Sequence, residues 1–373
     1  MSRDIKSQFI PDYTVPPGET LLETLETIGM SQAELAERTG RPKKTINEII
    51  KGKAAITPET ALQLERALGI PANFWNNLER NYQETLARIN EQKKLEKNIS
   101  WLDKFPVSAL IRMGWIKRYR EKTQQLKEIL NFFGVASPEQ WSKKWLGDQV
   151  SYRKSKVFQS DPYATATWLR MGEIHAHQIE CKPYDSSKFK TALNEIRKLT
   201  NQPPEDFFPK VISLCAEAGV AVAFTSELPK IRTWGATKWM NPNKAVIQLS
   251  LRYKSDDHLW FSFFHEAGHI LLHGKKAVFI ENDSKDLIQE TEADKFAANF
   301  LIPPEKYRKL KQRGQYNHAY IQDFASELGI SPGIVVGRLQ HDHIIPHNIC
   351  NELKKRFVWK PLKQSDLQDR KSQ

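Results

Sequence analysis

Residues 257–273 read DHLWFSFFHEAGHILLH. Leu259, Trp260, Phe261, Phe263, Phe264, Ile270, Leu271 and Leu272 make this a helix that has to lie in a core. Two histidines and a glutamate on so apolar a helix are costly unless something compensates them. His265 and His269 are four residues apart, so they share a helical face and can hold one ion together. A catalytic zinc takes three protein ligands and leaves its fourth position to water. Glu266, beside the first histidine, can take a proton from that water, whose pKa the metal lowers towards about 7.

The pattern HExxH recurs by chance, so a third ligand is needed to complete it. Residues 287–301 form the next helical stretch and end at Pro303. Within it Glu290 and Asp294 stand at i and i+4, on one face. Glu290 is the expected zinc ligand, and Asp294 the carboxylate that orients a ligand histidine through its other ring nitrogen. Glu292 points about 160° away from that face and reads as an exposed charge. His273, one turn past His269, either lines the cleft or is structural.

Upstream, residues 205–218 read as a helix ending at Gly219, and residues 220–224 (VAVAF) as a buried strand. Residues 231–240 and 245–249 are rich in strand formers and are separated by the turn residues Asn241, Pro242 and Asn243. Residues 318–340 add one or two helices. The expected class is α+β and predominantly helical, with a small antiparallel or mixed sheet beside the metal helix.

The 373 residues suffice for two or three domains, and 40% hydrophobic residues suffice for a sizeable core. The net charge of +12 is uneven: residues 1–80 carry −1, residues 81–200 carry +9 and residues 201–373 carry +4. Such an excess favours polyanionic partners. Three cysteines without a CxxC pair exclude a disulfide framework and a thiolate cluster. Residues 1–14 have no apolar core of a signal peptide, and no apolar stretch is long enough to span a bilayer. These readings predict a soluble cytoplasmic protein without a membrane partner.

Residues 18–80 read as five short helices. Leu21, Leu22, Leu25 and Ile28 recur at helical spacing before Gly29. Ser31 and Glu34 form a capping-box pattern ahead of a helix that stops at Gly40. Pro42 opens the third helix, Pro58 the fourth and Pro71 the fifth. A helix–turn–helix reader rests its first helix on the DNA backbone and lays the second in the major groove. Here the second would be residues 42–51, where Arg41, Lys43, Lys44, Lys51 and Lys53 stand against the single acid Glu48. Lys43, Lys44 and Asn47 are placed to meet base edges. Gln32, Thr45, Lys51 and Lys53 suit phosphates. Ala36, Ile46 and Ile49 should be core.

The expected division is a DNA-binding domain over 1–80, a basic helical connector over 81–204, a metal-binding domain over 205–345 and a polar basic tail over 346–373.

Two resemblances follow from these residues. HEAGHILLH (265–273) and ETEADKFAANFLIP (290–303) resemble the ImmA/IrrE metallopeptidase family, over about residues 205–340. That resemblance implies a minimal zincin fold, with a small sheet over the metal helix, and cleavage of a transcriptional repressor. It supports Glu290, because the family places its acidic ligand first in E-x-x-A-[ND]. The chain departs from it in reading LIPP where the family usually reads LLMP, which changes no ligand. Residues 16–80 resemble the HigA antitoxin branch of the Xre/Cro helix–turn–helix family, through PPGETLLETLETIGMSQAELAERTG, INEIIKGKAAITPETALQLERALG and FWNNLERNY. This implies a homodimer on a palindromic operator, beside a toxin gene. Together they imply a DNA-binding regulator carrying a zinc peptidase domain that acts on a repressor or other regulatory partner. The alternative is a non-catalytic antitoxin or repressor whose zincin domain is a sensor or toxin-binding module.

Overall fold

The computed structural model describes residues 13–146, 161–231, 233–250, 255–274, 278–280 and 287–357. Residues 1–12, read above for a signal peptide, lie outside the described residues, as do 358–373 of the expected tail. The chain divides into two compact units, residues 1–99 and 100–373.

In the first unit the expected helices form: α1 (Pro17–Ile28), α2 (Gln32–Thr39), α3 (Lys43–Ile50), α4 (Pro58–Leu68) and α5 (Ala72–Lys97). Ser31 Oγ accepts from the Glu34 N–H at 3.1 Å, while the Glu34 carboxylate is engaged by Arg38 at 2.6 Å. Thr57 caps α4 in the same way. Leu21, Leu25, Leu35, Ile46, Leu64 and Trp75 close the core. At Gly18 a Cβ would come within 2.0 Å of the Ile49 carbonyl oxygen, so glycine lets α1 approach α3. The sequence boundary at residue 80 is too early, because α5 continues unbroken to Lys97. Straight-chain helix formers and the Glu84–Arg88 pair at i, i+4 carry it through the polar stretch, which is helical as expected but continuous with the first unit.

The second unit holds α6 (Val107–Arg112), α7 (Lys122–Phe133), α8 (Pro138–Trp141), α9 (Pro162–Gln178), α10 (Ser186–Lys198) and α11 (Pro204–Glu217). Strands β1 (Val220–Thr225), β2 (Gly235–Asn241) and β3 (Lys244–Ser250) follow, then helix α12 (Asp256–Leu272), which carries the HExxH residues, and strand β4 (Val278–Ile280). Helices α13 (Leu287–Leu301), α14 (Pro304–Arg313), α15 (His318–Leu328) and α16 (Pro332–His341) complete it. The sheet is mixed, in the order β1-β3-β2-β4, with β1 parallel to β3 and the other pairs antiparallel.

Residues 100–204 are not a connector. Helix α9 packs on β1 and β3, covering one face of the sheet, and α12 covers the other. Val220, Val222, Ile247 and Leu249 point into the main core with α12, whereas Ala221 and Val246 meet Ala176 of α9. This explains why β1 is a continuous apolar run: it is buried on both faces. Gly172 lies against the Gln248 side chain, whose amide donates to the Trp168 carbonyl at 2.7 Å. Near α7 and α8, Trp101, Phe105, Phe133, Trp141 and Tyr163 build a separate aromatic cluster.

Residues 346–357 of the expected tail are part of the second unit, and Phe357 is buried in its main core. Asp256 at the start of α12 donates its N–H to the Lys355 carbonyl and accepts from the Lys355 N–H. Glycines 333 and 337 of α16 abut Asp256 and Asp257, so α16 sits tightly on the same end of α12.

Candidate metal centre and nucleic-acid interface

The metal helix reaches its partner through small residues. Ala267 and Gly268 separate the histidines, and Ala293 and Ala297 line α13. A Cβ on Gly268 would lie 3.1 Å from the Phe296 ring and 3.3 Å from the Ala293 Cα. This close crossing brings Glu290 over the histidines. The Nε2 atoms of His265 and His269 are 3.0 Å apart, and the Glu290 oxygens lie 3.3 Å from each. His265, Glu266 and His269 are buried. Glu290 retains one fifth of its side-chain exposure, so the cluster has an open side.

The outer ring nitrogens have their own partners. His265 Nδ1 is 2.8 Å from Asp294 Oδ1, and His269 Nδ1 is 2.9 Å from His273 Nδ1. His273 Nε2 in turn is 3.2 Å from Glu292 Oε2. With the proton of each ligand histidine on Nδ1, His265 donates to Asp294, and His269 donates to His273, which donates to Glu292. Both Nε2 lone pairs then face the Glu290 carboxylate. Three acceptors converging without a proton between them repel one another, and a cation relieves that repulsion. The donor set, two imidazoles and a carboxylate with one side open, fits zinc. Burial drives His269 down from its ordinary pKa against the pull of Glu290, which keeps its imidazole neutral.

Glu266 sits on the sheet side of this centre. The Thr237 hydroxyl on β2 lies 2.6 Å from Glu266 Oε2 and 3.0 Å from the Glu266 carbonyl oxygen. Gly235, at the start of β2, leaves the space the carboxylate fills, since a Cβ there would fall 2.4 Å from Oε1.

The structure thus brings together His265, Glu266, His269, Glu290 and Asp294. His273 and Glu292 join them as outer partners, so Glu292 is not simply an exposed charge, although it does not face the ligand atoms. Thr237 and Gly235 gave no sequence signal.

In the first unit, Ile46 and Ile49 are buried and fix which face of α3 turns outward. Lys43, Lys44, Lys51 and Lys53 are exposed, and Thr45, Asn47 and Gln32 are half-buried. Asn47 donates its amide to Gln32 at 3.2 Å, linking α3 to α2. Lys44 stands 3.9 Å from Glu48. Arg41 turns away to Gln63 and Glu59 on α4, so the exposed charge of this edge is carried by the lysines.

Comparison with known proteins locates two families on these units. Residues 215–340 match the peptidase M78 family model, described as an IrrE N-terminal-like domain. Residues 21–75 match a helix-turn-helix model. Virulence-associated protein A of Dichelobacter nodosus is 37% identical over 67 residues, which are 18% of this chain and 64% of that protein. Antitoxin HigA-1 of Vibrio cholerae is 34% identical over 86 residues, 22% of this chain and 81% of that protein. A structure of Pseudomonas aeruginosa antitoxin HigA with higBA promoter shares 30% identity over 23% of this chain and 94% of its own, with a TM-score of 0.22. Among the described residues no helix is long and apolar enough to cross a membrane. Through its first unit the chain belongs to the helix-turn-helix family that includes these HigA relatives, and through residues 215–340 it carries a peptidase M78, IrrE-like domain.

Proposed function

We propose that the chain is a cytoplasmic DNA-binding regulator of HigA type whose second unit is a zinc-dependent peptidase acting on a repressor or other regulatory protein, such as a toxin encoded beside it. The observation that carries the peptidase reading is the convergence of His265, His269 and Glu290 beside a Glu266 anchored to β2. Bound there, zinc supplies a Lewis acid and an acidified water. His265, His269 and Glu290 would hold the ion, while Asp294 and His273 fix the ring orientations. Glu266 receives the water's proton as the scissile carbonyl is attacked, then returns it to the departing amine. The Thr237 hydroxyl keeps the Glu266 carboxylate on the sheet side of the ligands.

The lysine edge of α3 supports binding of double-stranded DNA. Lys43, Lys44 and Asn47 read base edges, and Gln32, Thr45, Lys51 and Lys53 contact phosphates. A homodimer on a palindromic operator is the form in which one such helix per subunit reads two half-sites.

Glu266→Gln tests the peptidase reading. The variant should bind zinc as the natural chain does and lose all cleavage of its target. Undiminished cleavage refutes the role of Glu266. A chain that binds zinc but never cleaves leaves the domain as a sensor or a partner-binding module.

A further inference from the structure

We propose that His318, Cys350 and Glu352 form a second site for a borderline divalent cation such as zinc, away from the centre on α12 and α13. Their ligand atoms all lie within 4.8 Å of one another. His318 opens α15, where Asn317 caps the helix by accepting from the Tyr320 N–H at 2.9 Å. The His318 Nε2 meets the Glu352 carboxylate directly. Cys350 is buried beneath this pair, with its sulfur 3.9 Å from the Tyr316 carbonyl oxygen.

The segment that presents the thiol is held rigidly. Cys350 has φ of 62°, in the left-handed region that a residue with a Cβ rarely adopts. The buried Gln340 fixes it, its amide nitrogen lying 2.9 Å from the Ile349 carbonyl and 3.1 Å from Asn351 Oδ1. A thiolate, an imidazole and a carboxylate are a zinc donor set, with bonds of about 2.0–2.3 Å. His318 and Glu352 are more than half exposed, so they can turn onto an ion seated above the sulfur, with water completing its shell. Binding releases the thiol proton to solvent. The ion would tie the start of α15 to the segment that continues to Lys355 and the head of α12.

The test uses the full-length chain carrying His265→Ala and His269→Ala, titrated with Co2+ alone. Those substitutions silence the first centre, so the result is independent of the peptidase reading. One Co2+ should bind with a near-ultraviolet thiolate-to-cobalt charge-transfer band, which a site of histidines and carboxylates cannot give. Cys350→Ser should abolish the band and Cys181→Ser should keep it. His318→Gln, at a side chain more than half exposed, should weaken binding at least tenfold. No band, a band that survives Cys350→Ser, or unchanged affinity in His318→Gln overturns the proposal.

Discussion

His269 Nδ1 stands 2.9 Å from His273 Nδ1, so the imidazole that closes α12 orients one inside its last turn. The consequence is a proton order, His269 to His273 to Glu292, that leaves the His269 Nε2 lone pair for a metal. Losing such an outer partner typically costs about 10–100-fold in metal affinity. His273→Ala should therefore weaken zinc by that amount in a chelator competition, and Asp294→Ala should do the same through His265. Glu292→Gln, whose side chain can still accept from His273, should have a smaller effect. Zinc affinity unchanged in His273→Ala would remove His273 from the site.

A second expectation concerns the floor under Glu266. Gly235→Ala places a methyl 2.4 Å from the Glu266 carboxylate, so either the strand or the base must shift. Thr237→Val removes the hydroxyl that binds Glu266; a hydrogen bond to a charged group contributes about 1.5–3 kcal/mol. Both variants should retain zinc, because neither residue touches a ligand, and both should lower the cleavage rate more than substrate affinity. Loss of zinc in step with activity would show that they act through the ligands instead.

The meeting of His265 and His269 on one face of α12 was legible because i, i+4 spacing is a property of one helix and needs no knowledge of the fold. Glu290 and Asp294 could be paired for the same reason. Thr237 and Gly235 could not, since only the placement of β2 above α12 brings them to Glu266. The connector reading failed at α9 for a physical reason. That helix buries Ala164, Thr165, Ala166, Thr167 and Trp168 in succession, so it has no apolar stripe to announce which face meets the sheet. The polar stretch after residue 80 reads as a solvated helix or helical connector, and it is the continuation of α5, which runs on past the core that begins it.

For the DNA-binding edge, base and phosphate contacts predict different outcomes. Lys51→Ala and Lys53→Ala should each weaken binding across all sequences and reduce the salt slope by about 0.9. Lys43→Ala, Lys44→Ala and Asn47→Ala together should remove sequence preference, each base contact being worth about 1–3 kcal/mol of discrimination. Binding measured against operator and random duplex at several salt concentrations separates the two. If preference survives the triple substitution, α3 is not the reading helix.

The last prediction is a pH dependence of folding that the metal centre does not set. His175 on α9 is buried, and its Nε2 has no hydrogen-bond partner among the described residues. Burial pushes its pKa down to about 4, from about 6.5 in an unfolded chain. The folded state therefore holds the imidazole neutral, and the stability this confers is complete above about 6.5 and is lost as pH falls towards 4. The loss is on the order of 3 kcal/mol. Asp256 works in the opposite direction. Burial, with Asp257 beside it, pushes its carboxyl up to about 6 despite the Ser331 hydroxyl it accepts. Its contribution favours the folded state below its unfolded pKa of about 3.9 and is lost as pH rises through 6. The two groups offset each other in the natural chain, so His175→Phe should unmask Asp256. Denaturant unfolding at pH 5 and pH 7.5 should show the variant gaining stability relative to the natural chain at the lower pH. Equal differences at both pH values would show that His175 does not remain neutral in the folded protein.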